Sequence, residues 1–153
     1  GTDTSTWKTY RNEKYGFEIK YPAKVIYPYT RQEYDFGVLK ANPDDIEGGL
    51  NREWVASDLI SHKFYQNKVG FVGISICVIP FTNVSDIEKR FGKNYQGVEI
   101  AGTKAVRGTY GGMHWGEYLV VFHDGIAIEL EHRADAISDA VFNQILSTFK
   151  FIK

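Results

Sequence analysis

The stretch that decides the fold is Glu117–His132, EYLVVFHDGIAIELEH. Apolar residues alternate with others on both sides of Asp124-Gly125, a dipeptide that accepts the positive φ angles of a two-residue type I′ turn, so the segment is predicted to be a β-hairpin. Counting outward from that turn sets the register: Val121 faces Ile128, Leu119 faces Leu130, and Glu117 faces His132, with Trp115 at the end of the same face. The pair Glu117 and His132 therefore falls at the rim of an apolar face. On the opposite face Tyr118, Glu129 and Glu131 read as solvated strand surface.

Outward from the hairpin the pattern stays β-rich. Residues Val98–Tyr110 read as strand, turn at Ala101-Gly102, and strand. Gly70–Phe81 (GFVGISICVIPF) is apolar on both faces and is expected to be a central, doubly covered strand. Nearer the start, Trp7–Tyr10 and Gly16–Tyr21 are short strands, the second ended by Pro22, which has no amide to donate. Val25–Lys40 suits one or two strands, with Pro28 restricting its first part to an edge or bend. Asn42–Gly49 is a loop, and Asn51–Ser61, carrying Trp54, Val55 and Leu59, is predicted to be a short helix. A second helix is expected at Asn83–Lys93, with Ser85 as N-cap and Glu88 completing a capping box. The third, Asp135–Thr148, places Ile137, Val141 and Ile145 on one stripe beside Phe142 and Leu146, so it is amphipathic and should pack on the sheet. Val and Ile total 26 against 6 Leu, a balance that favours sheet over helix packing.

The chain has 153 residues, enough for one domain with its own core, without metal or disulfide. Gly1–Thr6 (GTDTST) is read as a disordered linker or tag remnant, and 7–153 as the single domain. With 18 basic and 19 acidic residues there is no field to hold a phosphate backbone, so nucleic acid is not an expected partner. No run approaches the ~18 apolar residues of a transmembrane helix. Cys77 is the one cysteine; it shares a strand face with Phe71 and Ile79, so an inert, buried thiol is expected.

Motifs for chemistry are sparse. Ser75 sits in mid-strand rather than at a nucleophile elbow, and Gly108-Thr109-Tyr110-Gly111-Gly112 lacks the Lys-Ser/Thr ending of a phosphate loop. In the acidic loop Asn42–Gly48, Ile46 occupies a position where a calcium loop needs oxygen. No cofactor and no catalytic residue is predicted from motifs. His62, His114, His123 and His132 show no metal-ligand spacing among themselves. Glu117 and His132 are left as a candidate polar pair: an ion pair, with the carboxylate raising the His132 pKa, or part of a metal or acid/base site. Tyr27, Tyr29, Arg31 and Tyr34, with Phe36, form a candidate interaction surface, or else pack into the core and edge.

Three segments also carry a resemblance: Tyr15-Gly16-Phe17-Glu18-Ile19-Lys20-Tyr21-Pro22, Ile100-Ala101-Gly102-Thr103-Lys104-Ala105-Val106, and Phe142-Asn143-Gln144-Ile145-Leu146-Ser147-Thr148-Phe149-Lys150-Phe151. In order and spacing the chain resembles the PsbP-like family, whose fold is shared by the extrinsic photosystem II protein PsbP and a Ran-binding nuclear import factor. Within that family it is most similar to bacterial lipoprotein domains. The resemblance implies an α+β fold, a central antiparallel β-sheet with helices packed on both faces in an α/β/α sandwich. It also implies an extracytoplasmic location, periplasmic or cell-surface, with a possible lipid anchor upstream. No metal-binding or Ran-binding residue of the family can be matched here. The expected function is a non-catalytic binding or assembly domain with a protein or cell-envelope partner. The alternatives are a small enzyme or metal-dependent site centred on Glu117, His132 and a third group brought by the fold, or a small-ligand carrier with an apolar cavity between sheet and helix.

Overall fold

The structure, a computed structural model, describes residues 3–26, 31, 33–35, 53–57, 74–79, 85, 88–89, 92–110, 116–133 and 137–152. In chain order these form β1 (Lys8–Asn12), β2 (Phe17–Tyr21), β3 (Lys24–Ile26), β4 (Glu33–Asp35), β5 (Glu53–Ser57), β6 (Ile74–Ile79), β7 (Tyr95–Ile100), β8 (Thr103–Tyr110), β9 (Gly116–His123), β10 (Ile126–Arg133), helix α1 (Asp139–Leu146) and β11 (Lys150–Phe151). Every pairing among them is antiparallel. A six-stranded sheet runs β5-β6-β10-β9-β8-β7, a three-stranded sheet runs β1-β2-β11, and β3 pairs with β4.

The predicted hairpin forms with the predicted register. Asp124 and Gly125 take φ of 49° and 77°, as a type I′ turn requires, and Glu117 pairs with His132, Leu119 with Leu130 and Val121 with Ile128. Strand β6 lies between β5 and β10, so its doubly apolar sequence does mark an interior strand.

One face of the six-stranded sheet carries Ile74, Ile76, Leu119, Val121, Ile128 and Leu130. These pack with Phe17 and Ile19 of β2 and with Phe142, Ile145 and Leu146 of α1 in a single buried cluster. Helix α1 is thus part of the core. It starts at Ser138, whose hydroxyl accepts a hydrogen bond from the Val141 amide at 3.3 Å, and its remaining first-turn amides favour the adjacent Asp139 carboxylate. The chain then turns directly into β11, where Thr148 accepts from the Lys20 amide at 2.8 Å and ties the helix end to β2.

Three expectations are corrected. The segment predicted as a helix at Asn51–Ser61 contains β5, paired with β6 across a bulge between Trp54 and Ala56. Its β-branched and aromatic residues fit a strand once β6 offers an edge to pair with, and tertiary pairing overrides a weak local preference. Ser85, expected as the cap, is itself helical, along with Glu88 and Lys89; Gly92, at φ 81°, donates its amide to the Glu88 carbonyl. Tyr118 and Glu129 are fully buried rather than solvated: with Cys77, Ile79, Val106, Val120 and Ala127 near them, the second face of the sheet also carries a core. The described residues are mostly strand, and α1 is the helix described along its whole length.

Candidate functional site

The rim of the first core brings five polar residues to one place. Strand register puts Glu117 on β9 opposite His132 on β10. On β8, Arg107 pairs with Leu119, two residues from Glu117 on the same face, a diagonal that a long side chain spans. Its Nε donates to Glu117 Oε2 at 2.7 Å, and its other arm donates to Asn143 Oδ1 at 2.7 Å. Helix α1 supplies Asn143 and Asp139. Asp139, Phe142 and Asn143 share a helical face by their three- and four-residue spacing, and that face meets the sheet rim. Phe142 stacks on the His132 ring with centroids 4.0 Å apart, while Asp139 Oδ1 lies 3.6 Å from His132 Nε2. The same nitrogen is 3.3 Å from Glu117 Oε1.

Burial decides the protonation of this group. Desolvation of the imidazolium is the largest influence on His132, and it outweighs hydrogen bonding and attraction from Glu117, attraction from Asp139 and a hydrogen bond to the Ile137 backbone; the pKa is held below its ordinary 6.5. The upward shift expected from the carboxylate alone is therefore reversed, because stacking under α1 removes more hydration than one carboxylate replaces. For Glu117 burial pushes upward, but hydrogen bonds from Arg107 and His132 prevail and hold the carboxyl below its ordinary range. At neutral pH the site is a neutral imidazole between two carboxylates, one of them clamped by a guanidinium. Those three groups present ligand atoms within 4.8 Å of one another.

The third group that the pair lacked in sequence is thus Asp139, and Arg107 is the residue that fixes Glu117. A signal existed for Asp139, since a carboxylate directly after a Ser N-cap marks a helix start. For Arg107 there was none, because the connection from β8 to β9 is too long for its register to be counted from a tight turn.

Tyr27, Tyr29 and Phe36 fall outside the described residues. Arg31 is exposed with φ 59°, and Tyr34 pairs with Val25 between β4 and β3. His62 and His114 also fall outside. His123 stacks on Phe151 at 3.8 Å and lies 3.2 Å from Asp124. Cys77 is buried as expected, its thiol donating to Glu129 Oε2 at 3.3 Å. No helix among the described residues is long and apolar enough to cross a membrane.

No protein-family model and no curated protein matches the chain. Among solved structures, it is similar to the solution structure of cyanobacterial PsbP (CyanoP) from Synechocystis sp. PCC 6803. The two are 16% identical, the match covers 99% of this chain and 95% of that one, and the TM-score is 0.57. Identity at that level bears on architecture alone, and the architecture agrees with the resemblance read from Tyr15–Pro22, Ile100–Val106 and Phe142–Phe151: this chain has the PsbP-like fold.

Proposed function

We propose that the protein is a non-catalytic binding or assembly domain whose partner is another protein or a cell-envelope component. The observation that carries this reading is the match in fold to cyanobacterial PsbP along almost the whole of both chains. The internal polar contacts agree with it: the Cys77 thiol is turned to Glu129 and Glu117 is clamped by Arg107, interactions that stabilise a scaffold. In this reading the domain sits outside the cytoplasm, held by a lipid anchor upstream of Gly1, with helices on both faces of its sheet. Its contact surface includes Tyr27, Tyr29, Arg31 and Tyr34, aromatic and guanidinium groups of the kind that anchor interfaces.

The experiment is a cross-linking capture from the native envelope fraction with the purified domain. A stoichiometric partner that is lost on Tyr29→Ala plus Arg31→Ala supports the reading. Capture unchanged by that pair moves the interface elsewhere, and a domain recovered from the cytoplasmic fraction overturns the location.

A further inference from the structure

The geometry points to a divalent transition-metal site, of the zinc class, formed by Glu117 Oε1, His132 Nε2 and Asp139 Oδ1, with a fourth position open to solvent. It is independent of the partner-binding reading above, since it concerns the opposite question of what the rim of the core holds.

Distances come first. A tetrahedral zinc with bonds of about 2.0–2.2 Å holds its ligand atoms roughly 3.3–3.6 Å apart. His132 Nε2 stands 3.3 Å from Glu117 Oε1 and 3.6 Å from Asp139 Oδ1, so both separations already match edges of that tetrahedron. One imidazole nitrogen between two carboxylate oxygens also suits this metal class, as imidazole selects transition ions over magnesium or calcium.

Valence comes second. An Nε2–H can serve one of the two facing oxygens, whereas a divalent cation serves both oxygens and the nitrogen lone pair together. The two carboxylates and the Arg107 guanidinium leave one net negative charge around a neutral ring, an attraction for a cation that survives the guanidinium. Arg107 binds Oε2 and leaves Oε1 turned to the imidazole. That is an outer contact of the kind by which proteins orient metal ligands.

Access comes third. The His132 side chain is 0% exposed and that of Glu117 19%, but that of Asp139 is 68% exposed. The third ligand thus faces water at the start of α1, providing an entry path and a place for a water or a partner's donor atom to complete the tetrahedron.

The test uses the full chain stripped of metal and titrated with zinc chloride, heat of binding and His132 ring-nitrogen NMR signals being read together. One zinc per chain with a shift at His132 Nε2 is expected, and Asp139→Asn should weaken it at least about tenfold, the low end of the loss even for an outer contact. Asp139 is exposed, so this variant keeps its fold, which thermal melting verifies. Glu117→Gln should act in the same direction. His132→Gln should abolish binding, and if it fails to fold the two carboxylate variants decide. Absence of zinc uptake overturns the proposal. So does zinc bound equally tightly by Asp139→Asn and Glu117→Gln with His132 signals unmoved, which would assign the ion to His62, His114 or His123.

Discussion

Gly108 on β8 faces Tyr118 on β9, and the Tyr118 ring occupies the space that a Cβ at position 108 would take. Tyr118 is 0% exposed, packed with Val106 and Val120 on the second face of the sheet, so it cannot swing aside without opening that cluster. Gly108→Ala should therefore cost about 1–3 kcal/mol, the usual penalty for overpacking a close-packed interior. Urea unfolding measures it, and pairing the change with Tyr118→Leu should recover part of the loss. A Gly108→Ala protein as stable as the parent would mean that the ring has room to move.

Phe142 joins the helix to the sheet and roofs His132. Phe142→Ala should destabilise by about 3–5 kcal/mol through the cavity it leaves, read as a lower denaturation midpoint with unchanged slope. Removing everything after position 136 deletes the same roof together with Ile145, Leu146 and Phe149, and should leave no cooperative thermal transition.

Acid should unfold the protein earlier than its carboxylates alone would dictate. His132 has a folded pKa below 6.5 while the unfolded chain takes up its proton near 6.5, so the unfolded state binds more protons in between and stability rises with pH. The contribution is fully present above about pH 6.5 and drains away as pH falls toward the folded value. Glu117, also lowered, has the same sign in the lower window below its ordinary 4.5. Among the described residues, the charged groups facing His132 include Glu117 from β9 and Asp139 from α1, with Arg107 beyond Glu117. Melting temperatures from about pH 7.5 to about pH 5 should fall, and a folded His132→Gln variant should show a shallower fall. A melting temperature that rises on acidification would show an imidazolium in the folded state.

The Cys77 thiol is buried beside Glu129, so it lacks the exposure that reactive thiols need. Ellman's reagent should label it only at the rate of unfolding, with full labelling in denaturant. Rapid labelling of the native protein would contradict that burial.

Local chemistry was enough to determine the hairpin, its register and the amphipathic helix. Asp124-Gly125 tolerates two consecutive positive φ angles, and a two-residue turn leaves one way to pair the flanking residues, so Glu117 opposite His132 could be counted from the chain. The 3.6-residue stripe predicted through Ile137, Val141 and Ile145, beside Phe142 and Leu146, depends on helix geometry; the helix forms over the shorter span Asp139–Leu146, Ile137 lies ahead of its Ser138 cap, and Phe142, Ile145 and Leu146 are its buried residues. Tertiary structure decided the rest, because each remaining feature depends on what lies across a gap in sequence. Alternation on β10 shows which residues share a face, but not whether a second layer covers it, so Glu129 and Tyr118 read as solvated and proved buried. Trp54 and Ala56 suit either helix or strand until the edge of β6 is there to pair with them. Arg107 and Asp139 reach Glu117 and His132 only because β8 docks on β9 and α1 lies across the sheet. His132 then loses its water to that helix, and the desolvation, larger than the pull of one carboxylate, lowers its pKa where the pair by itself would raise it.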